Sequence, residues 1–128
     1  MVSADHIPVE PGVYQLVLRL PEAVTLQVGK LGTFTFRAGR YVYTGSALGG
    51  LRARIARHLR AQKRLRWHID YLLPHTELED IRYQVSLERL ECARNREMLA
   101  LPCAQVIAPG FGSSDCRCPT HLVYLADG

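Results

Sequence analysis

The residues with chemistry to offer gather around one stretch. Tyr41 to His58 reads Tyr-Val-Tyr-Thr-Gly-Ser-Ala-Leu-Gly-Gly-Leu-Arg-Ala-Arg-Ile-Ala-Arg-His. Tyrosines leave a β-strand shortly before Arg54 and His58 enter on a helix. Being four apart, Arg54 and His58 share one helix edge. Elsewhere in the chain, Tyr14 adds a phenol and Glu91 a carboxylate. Phosphodiester cleavage needs a base to take a proton from water, a cation near the developing negative charge, and a metal held by a carboxylate. Each role has a candidate here. A phenol titrates near about 10, so Tyr14 or Tyr43 as a base needs a metal or an arginine beside it. His58 titrates without such help. Both Tyr14 and His58 therefore stand as candidates for the base.

The charge pattern points to the same kind of substrate. The net charge is +4, yet residues 23 to 69 contain no Asp or Glu and ten Lys or Arg. Seven of those ten, Arg52, Arg54, Arg57, Arg60, Lys63, Arg64 and Arg66, lie within one short segment. A basic field of this kind attracts phosphate backbones. Nucleic acid is the expected partner. The competing view is an exposed helix face that Arg52, Arg60 and Lys63 merely solvate.

The elements that must position these groups follow from hydrophobic spacing. One domain over residues 1–128 is expected, with 1–9 as a loose arm. Gly12 to Leu20 alternates as a strand with Tyr14, Leu16, Leu18 and Leu20 facing the core. Val24–Val28 and Thr33–Phe36 form a hairpin around Gly29–Gly32. Tyr41–Tyr43 is the fourth strand, and Gly45 to Gly50 a turn. Leu51, Ile55 and Leu59 predict a helix from Leu51 to about Gln62. Trp67–Leu73 is a second helix, stopped by Pro74. A strand around Asp80–Val85 follows, then Ser86 as N-cap of a third helix over about Leu87–Ala100, with Leu87, Leu90 and Met98 inward. His121–Leu125 closes as a strand. The fold class is α/β (α+β): a small, mainly antiparallel sheet flanked by about three helices, with an extra hairpin near the N-terminus.

No apolar run reaches the length of a membrane span. The first residues lack the basic start and apolar stretch of a signal peptide. A cytoplasmic setting is therefore expected, with four reduced cysteines. Cys116-x-Cys118-x-x-His121 offers three soft ligands, whereas zinc takes four. Cys92 or Cys103 would complete the set only if folding brought one near. The reading adopted is a pair of thiols in a turn, with zinc not expected. A further reading folds this glycine-rich loop over the site, placing Asp115 or His121 beside the substrate. His68 is expected to hydrogen-bond within the fold rather than to catalyse.

In order, Gly12-Val13-Tyr14, Tyr43-Thr44-Gly45, Arg54, His58 and a helix glutamate resemble the GIY-YIG nuclease superfamily. Val-Gly-Lys-Leu-Gly at 28–32, Tyr-Val-Tyr-Thr-Gly-Ser-Ala at 41–47, Trp-His-Ile-Asp-Tyr-Leu at 67–72 and Gly-Phe-Gly-Ser-Ser-Asp-Cys-Arg-Cys at 110–118 are similar to a compact GIY-YIG-like family that is also found fused to endonuclease III in some archaea. The resemblance implies Tyr14 and Tyr43 at the cleavage site, Arg54 on the phosphate, and His58 nearby. It implies Glu91 on one Mg²⁺ or Mn²⁺ ion, with Glu88 one turn away as its competitor. It implies an endonuclease acting on DNA before RNA, with DNA repair and a repair-protein partner as its setting. Val13 and Thr44 replace the isoleucines of the motif, and the hairpin at 21–37 lengthens the gap between the two tyrosines. Two other classes stay open: a non-catalytic nucleic-acid-binding accessory module on the same fold, and an interaction domain whose basic helix meets an acidic protein.

Overall fold

The computed structural model describes residues 3–114 and 116–126. Strand β1 (Gly12–Leu20) is followed by a hairpin, β2 (Val24–Val28) and β3 (Gly32–Phe36), and by the long strand β4 (Gly39–Ala47). Helix α1 (Leu51–Leu59), the short helix α2 (His68–Leu72) and a 3₁₀ turn (Leu73–His75) lead to β5 (Glu77–Val85). Helix α3 (Glu91–Leu99), β6 (Ala104–Gln105) and β7 (Leu122–Leu125) complete the chain. The main sheet has the order β5-β1-β4-β7-β6, every pairing antiparallel, and β2-β3 form a separate sheet. This is the α+β architecture expected. Among the described residues no helix is long and apolar enough to cross a membrane.

The central strands are buried on both faces. On one face Tyr14, Leu16, Leu18 and Leu20 join Tyr41, Tyr43, Leu51, Ile55, Ile69 and Leu72 in one core. On the other, Val17, Val42 and Val123 lie side by side through the register of β1, β4 and β7 and are also buried. Helix α3 packs against β4. The alternation therefore identified the main core face but not the second one, because valine on a strand reads alike at a covered face and at an exposed one.

Four local expectations change. Strand β4 runs through Gly45 and Ser46 to Ala47, because these residues pair with Tyr14, Val13 and Gly12. Only Leu48–Gly50 remains to turn. Helix α1 stops at Leu59, where the Arg60 N–H closes onto the Arg57 carbonyl and the Lys63 ammonium donates to the Arg57 and His58 carbonyls of the last turn. Helix α3 begins at Glu91 rather than Leu87. The Ser86 hydroxyl accepts from the Glu88 N–H in a local turn, and Leu87 is 90% exposed. Strand β6 was not foreseen, since two residues carry no period.

The arm is held rather than loose over its described residues 3–9. Ala4 and Ile7 are buried in the core. The Arg52 N–H donates to the Pro8 carbonyl and the Arg52 guanidinium to the Ile7 carbonyl. Gly50 makes this approach feasible: its φ is 120° and a Cβ there would stand 2.7 Å from the Val9 carbonyl oxygen. Ile7→Ala is expected to cost roughly 2–5 kcal/mol, read as a lower denaturation midpoint in urea. An arm that contributes nothing would leave the midpoint unchanged.

Candidate active-site cleft and a neighbouring thiol cluster

A cleft of about 400 Å³ opens where β1, β4, α1, α2, α3 and the loop after Phe111 meet. Tyr14, Tyr43, Arg54, Arg66, Trp67 and Glu91 line it, with Thr44, Arg89, Ser114 and His121 among their neighbours. Tyr14 and Tyr43 come from paired strands on one sheet face, their ring centroids 6.4 Å apart. Tyr14 faces Gly45 across the pair. A Cβ on Gly45 would lie 2.5 Å from the Tyr14 hydroxyl oxygen, so a side chain there would displace the phenol.

The Tyr14 hydroxyl and His58 Nε2 are 2.7 Å apart. Tyr14 and His58, alternatives for one role in the sequence, are thus partners in one hydrogen bond. Burial, and then the neighbouring Lys63 charge, lower the His58 pKa to about 3. The ring is therefore neutral at neutral pH and a poor acceptor of a full proton. Its Nδ1 is buried with no hydrogen-bond partner among the described residues. Burial raises the Tyr14 phenol well above its ordinary value; Tyr43 adds to this, and Arg54 opposes it. Burial raises Tyr43 as well, again against Arg54. Glu91 repels the ionised form of both phenols, which fits its place at the first residue of α3, on the cleft wall. Glu88 is not among the cleft-lining residues.

Trp67 organises the arginines. The Arg57, Arg54 and Arg66 guanidinium carbons stand 4.0, 4.4 and 5.5 Å from its ring centroid, within cation–π range. Arg57 grips both Asp70 carboxylate oxygens at 3.0 Å. Asp70, with no exposure, also accepts the Arg66 and Trp67 backbone N–H groups at 2.9 Å. Burial alone would raise the Asp70 pKa, but these hydrogen bonds outweigh it and hold the carboxyl below its usual range. Arg54 donates to the Ser46 carbonyl at 2.9 Å, which ties it to the end of β4.

The basic segment is thus divided among tasks. Arg54 and Arg66 line the cleft. Arg52 fastens the arm, Arg57 pairs with Asp70, and Lys63 closes α1. Arg60 and Arg64 are exposed and are not among the cleft-lining residues. Arg89, which sequence reasoning did not select, does line it. Asp70 was also missed as a partner, although it is the first acid after a long basic stretch, which is a legible signal. His68 Nδ1 accepts the Gly112 N–H at 2.8 Å, the structural bond expected of it.

The loop after Phe111 does fold against the cleft: Gly112, Ser114, Cys116 and His121 line it. Asp115 lies outside the described residues. Cys118 belongs to a neighbouring cluster instead. The sulfurs of Cys92, Cys116 and Cys118 and a His121 ring nitrogen all lie within 4.8 Å of one another. This corrects the expectation of two thiols alone in a turn: α3 delivers Cys92 as the fourth donor, so a full ligand set is assembled. Three sulfurs and an imidazole suit zinc rather than magnesium. Cys103 is not among the four donors. Burial, together with Cys118 and Cys116, pushes the Cys92 thiol up to about 12.

A family model described as a domain of unknown function, DUF123, matches residues 13–128. No curated protein and no solved structure matches the chain.

The buried neutral His58 has a definite linkage. Its folded pKa, about 3, lies below the ordinary 6.5. The unfolded chain therefore binds the extra proton first, and stability falls as pH drops from about 6.5 towards about 3. Urea midpoints between pH 7 and pH 5, where most carboxylates stay ionised, read His58 and His68 together, since burial lowers the His68 pKa as well, and the comparison with His58→Gln separates the His58 share. The wild type should lose stability over that range and His58→Gln should lose less; equal slopes would show that His58 does not carry the effect.

Proposed function

The chain belongs to the DUF123 family, and from that premise and its cleft we propose that it is a metal-dependent endonuclease of the GIY-YIG type, acting on DNA more readily than on RNA. One observation carries the reading: Tyr14, Tyr43, Arg54 and Glu91, from four separate elements, line a single cleft. Their chemistry matches the demands of phosphodiester hydrolysis. Arg54, Arg66 and Arg89 supply positive charge for a phosphate. Glu91 is one hard oxygen donor among these cations. That donor set fits a hydrated Mg²⁺ or Mn²⁺, which commonly binds through one or two carboxylates and completes its shell with water and substrate phosphate oxygens. Such an ion supplies Lewis-acid polarisation of the phosphoryl oxygen and a more acidic water.

The protein's own residues do the rest. Tyr14 serves as the base once ionised. Its own proton passes to solvent, favoured by Arg54 and by the charge a bound ion would supply. The phenolate then receives the proton of the attacking water. His58 positions Tyr14 through their 2.7 Å hydrogen bond and, being neutral, adds no charge that would compete with Arg54 for the phosphate. Tyr43, on the strand beside Tyr14, hydrogen-bonds the water or the phosphate. Arg54 lowers the cost of ionising both phenols and stabilises charge building on the phosphate.

The second reading is a non-catalytic nucleic-acid-binding accessory module. It is favoured by the burial that keeps Tyr14 and Tyr43 protonated. Labelled single-stranded, duplex, flap and branched DNA and RNA, incubated with Mg²⁺ or Mn²⁺, separate the two. Under the nuclease reading Glu91→Ala abolishes cutting but keeps salt-sensitive binding. Tyr14→Phe slows cutting about 10²–10⁴-fold, as for loss of a general base. Arg54→Ala impairs both. Binding without cutting by the wild type establishes the module; undiminished cutting by Glu91→Ala sinks the assignment of the metal carboxylate.

A further inference from the structure

We propose that Cys92, Cys116, Cys118 and His121 hold one zinc ion in a closed structural site that clamps the start of α3 and the loop after Phe111 onto β4. The inference stands apart from the nuclease reading and holds whether or not the cleft cuts nucleic acid.

The donor geometry carries it. In a tetrahedral site with Zn–S near about 2.3 Å and Zn–N near about 2.0–2.1 Å, donor atoms sit roughly 3.5–3.8 Å from one another. His121 Nε2 lies 3.2 Å from the Cys116 sulfur and 3.7 Å from that of Cys92, and all four donors fall within 4.8 Å. Small shifts close them around one ion.

The far side of the imidazole fixes its tautomer. His121 Nδ1 is 3.0 Å from the Thr44 carbonyl oxygen. A carbonyl only accepts, so Nδ1 carries the hydrogen and Nε2 presents its lone pair to the sulfurs. A zinc-ligating histidine commonly has this arrangement, with the outer nitrogen donating to a backbone carbonyl that orients the ring. His121 is 1% exposed, so its orientation is locked by packing as well. Without a cation, the three thiols have one another's weakly accepting sulfurs and a single nitrogen lone pair to bond to. A disulfide would join two of them and strand the third beside the histidine. A cation satisfies all four donors at once.

Four protein ligands fill a tetrahedron and leave no position for water or substrate, the mark of a structural rather than a catalytic zinc. What the ion secures is visible in the chain. Cys92 follows Glu91 directly, so it pins the first turn of α3, whose N-terminal residue stands on the cleft wall. Cys116 and His121 line that wall themselves. Thr44, which receives the His121 ring bond, also donates its N–H to the His121 carbonyl, so residue 121 is tied to β4 twice.

The test uses the full chain, purified without a histidine tag under reducing conditions and dialysed against metal-free buffer. Elemental analysis should give one zinc per chain, unchanged in Cys103→Ser and lost in Cys118→Ser. Replacement by Co²⁺ in the wild type should give the visible bands of a tetrahedral ion and thiolate-to-cobalt charge transfer. A zinc chelator should lower the melting temperature of the wild type and leave that of Cys118→Ser unchanged. If Cys118→Ser does not fold, the wild-type stoichiometry and cobalt spectrum decide alone. Folded wild-type protein that takes up no zinc overturns the proposal. So does an octahedral cobalt spectrum, full zinc retention by Cys118→Ser, or a disulfide among the three cysteines in the reduced preparation.

Discussion

The ion pair between the partly buried Arg57 and the fully buried Asp70 is the constraint from which the cleft wall is built. Asp70 has no contact with solvent and accepts four hydrogen bonds, two from Arg57 and one each from the Arg66 and Trp67 backbones. A carboxylate so enclosed is tolerable only because these bonds replace its water. Removing the arginine from such a pair typically costs about 3–5 kcal/mol, because the carboxylate is left buried without its counter-charge. The pair joins α1 to α2 at the point where Trp67 stands. Trp67 in turn offers its ring to Arg54 and Arg66, the two basic-segment arginines on the cleft wall. One arginine is thus spent as structure so that two others keep a defined orientation towards the opening.

The same economy of polar groups recurs across the sheet. Tyr14 reaches from β1 to His58 on α1, and Gly45 on β4 gives its phenol room. Each of these residues depends on another element for its position. Burial keeps His58 neutral, and a neutral ring orients the phenol without adding a second cation behind Arg54. The orphaned Nδ1 of His58 is a cost of packing the ring so deeply. A residue that accepts such a cost for the sake of one hydrogen bond is better suited to positioning a phenol than to shuttling protons itself.

Much of this was legible in the chain before any coordinates. Strands β1, β2 and β3 followed from alternation with little or no error at their ends, since period two survives where the other face is solvated or aliphatic. The phenols, Arg54 and Glu91 were singled out by type and order. The division of labour among the basic residues was not legible. Arg52, Arg57 and Lys63 look the same as Arg54 and Arg66 in sequence, and only the fold shows that a carbonyl or a carboxylate engages them. The start of α3 was misplaced for a related reason. Ser86 is as good a turn-former as a helix cap, and the local hydrogen bond to Glu88 won. The thiol cluster escaped because its fourth donor is 24 positions before Cys116 on a helix, too far for any spacing rule to join them.

Helix α3 itself is lightly anchored by apolar contact. Asn95 is its one fully buried residue among those described, and it donates to the Thr120 carbonyl rather than packing against hydrocarbon. A nine-residue helix is too short to be stable by itself, and polar contacts of this kind are each worth only about 0.5–1.5 kcal/mol net. Its first turn nonetheless carries Glu91 towards the cleft and Cys92 towards the sulfurs. Neighbouring positions on a helix point about 100° apart, so under the two proposals a single turn serves a hard oxygen ligand on one side and a soft sulfur ligand on the other. In the proposed reading the two metals do not compete, because their donors differ in kind. The tighter one sets the angle of the helix, and the carboxylate of Glu91 inherits its position from the sulfur beside it.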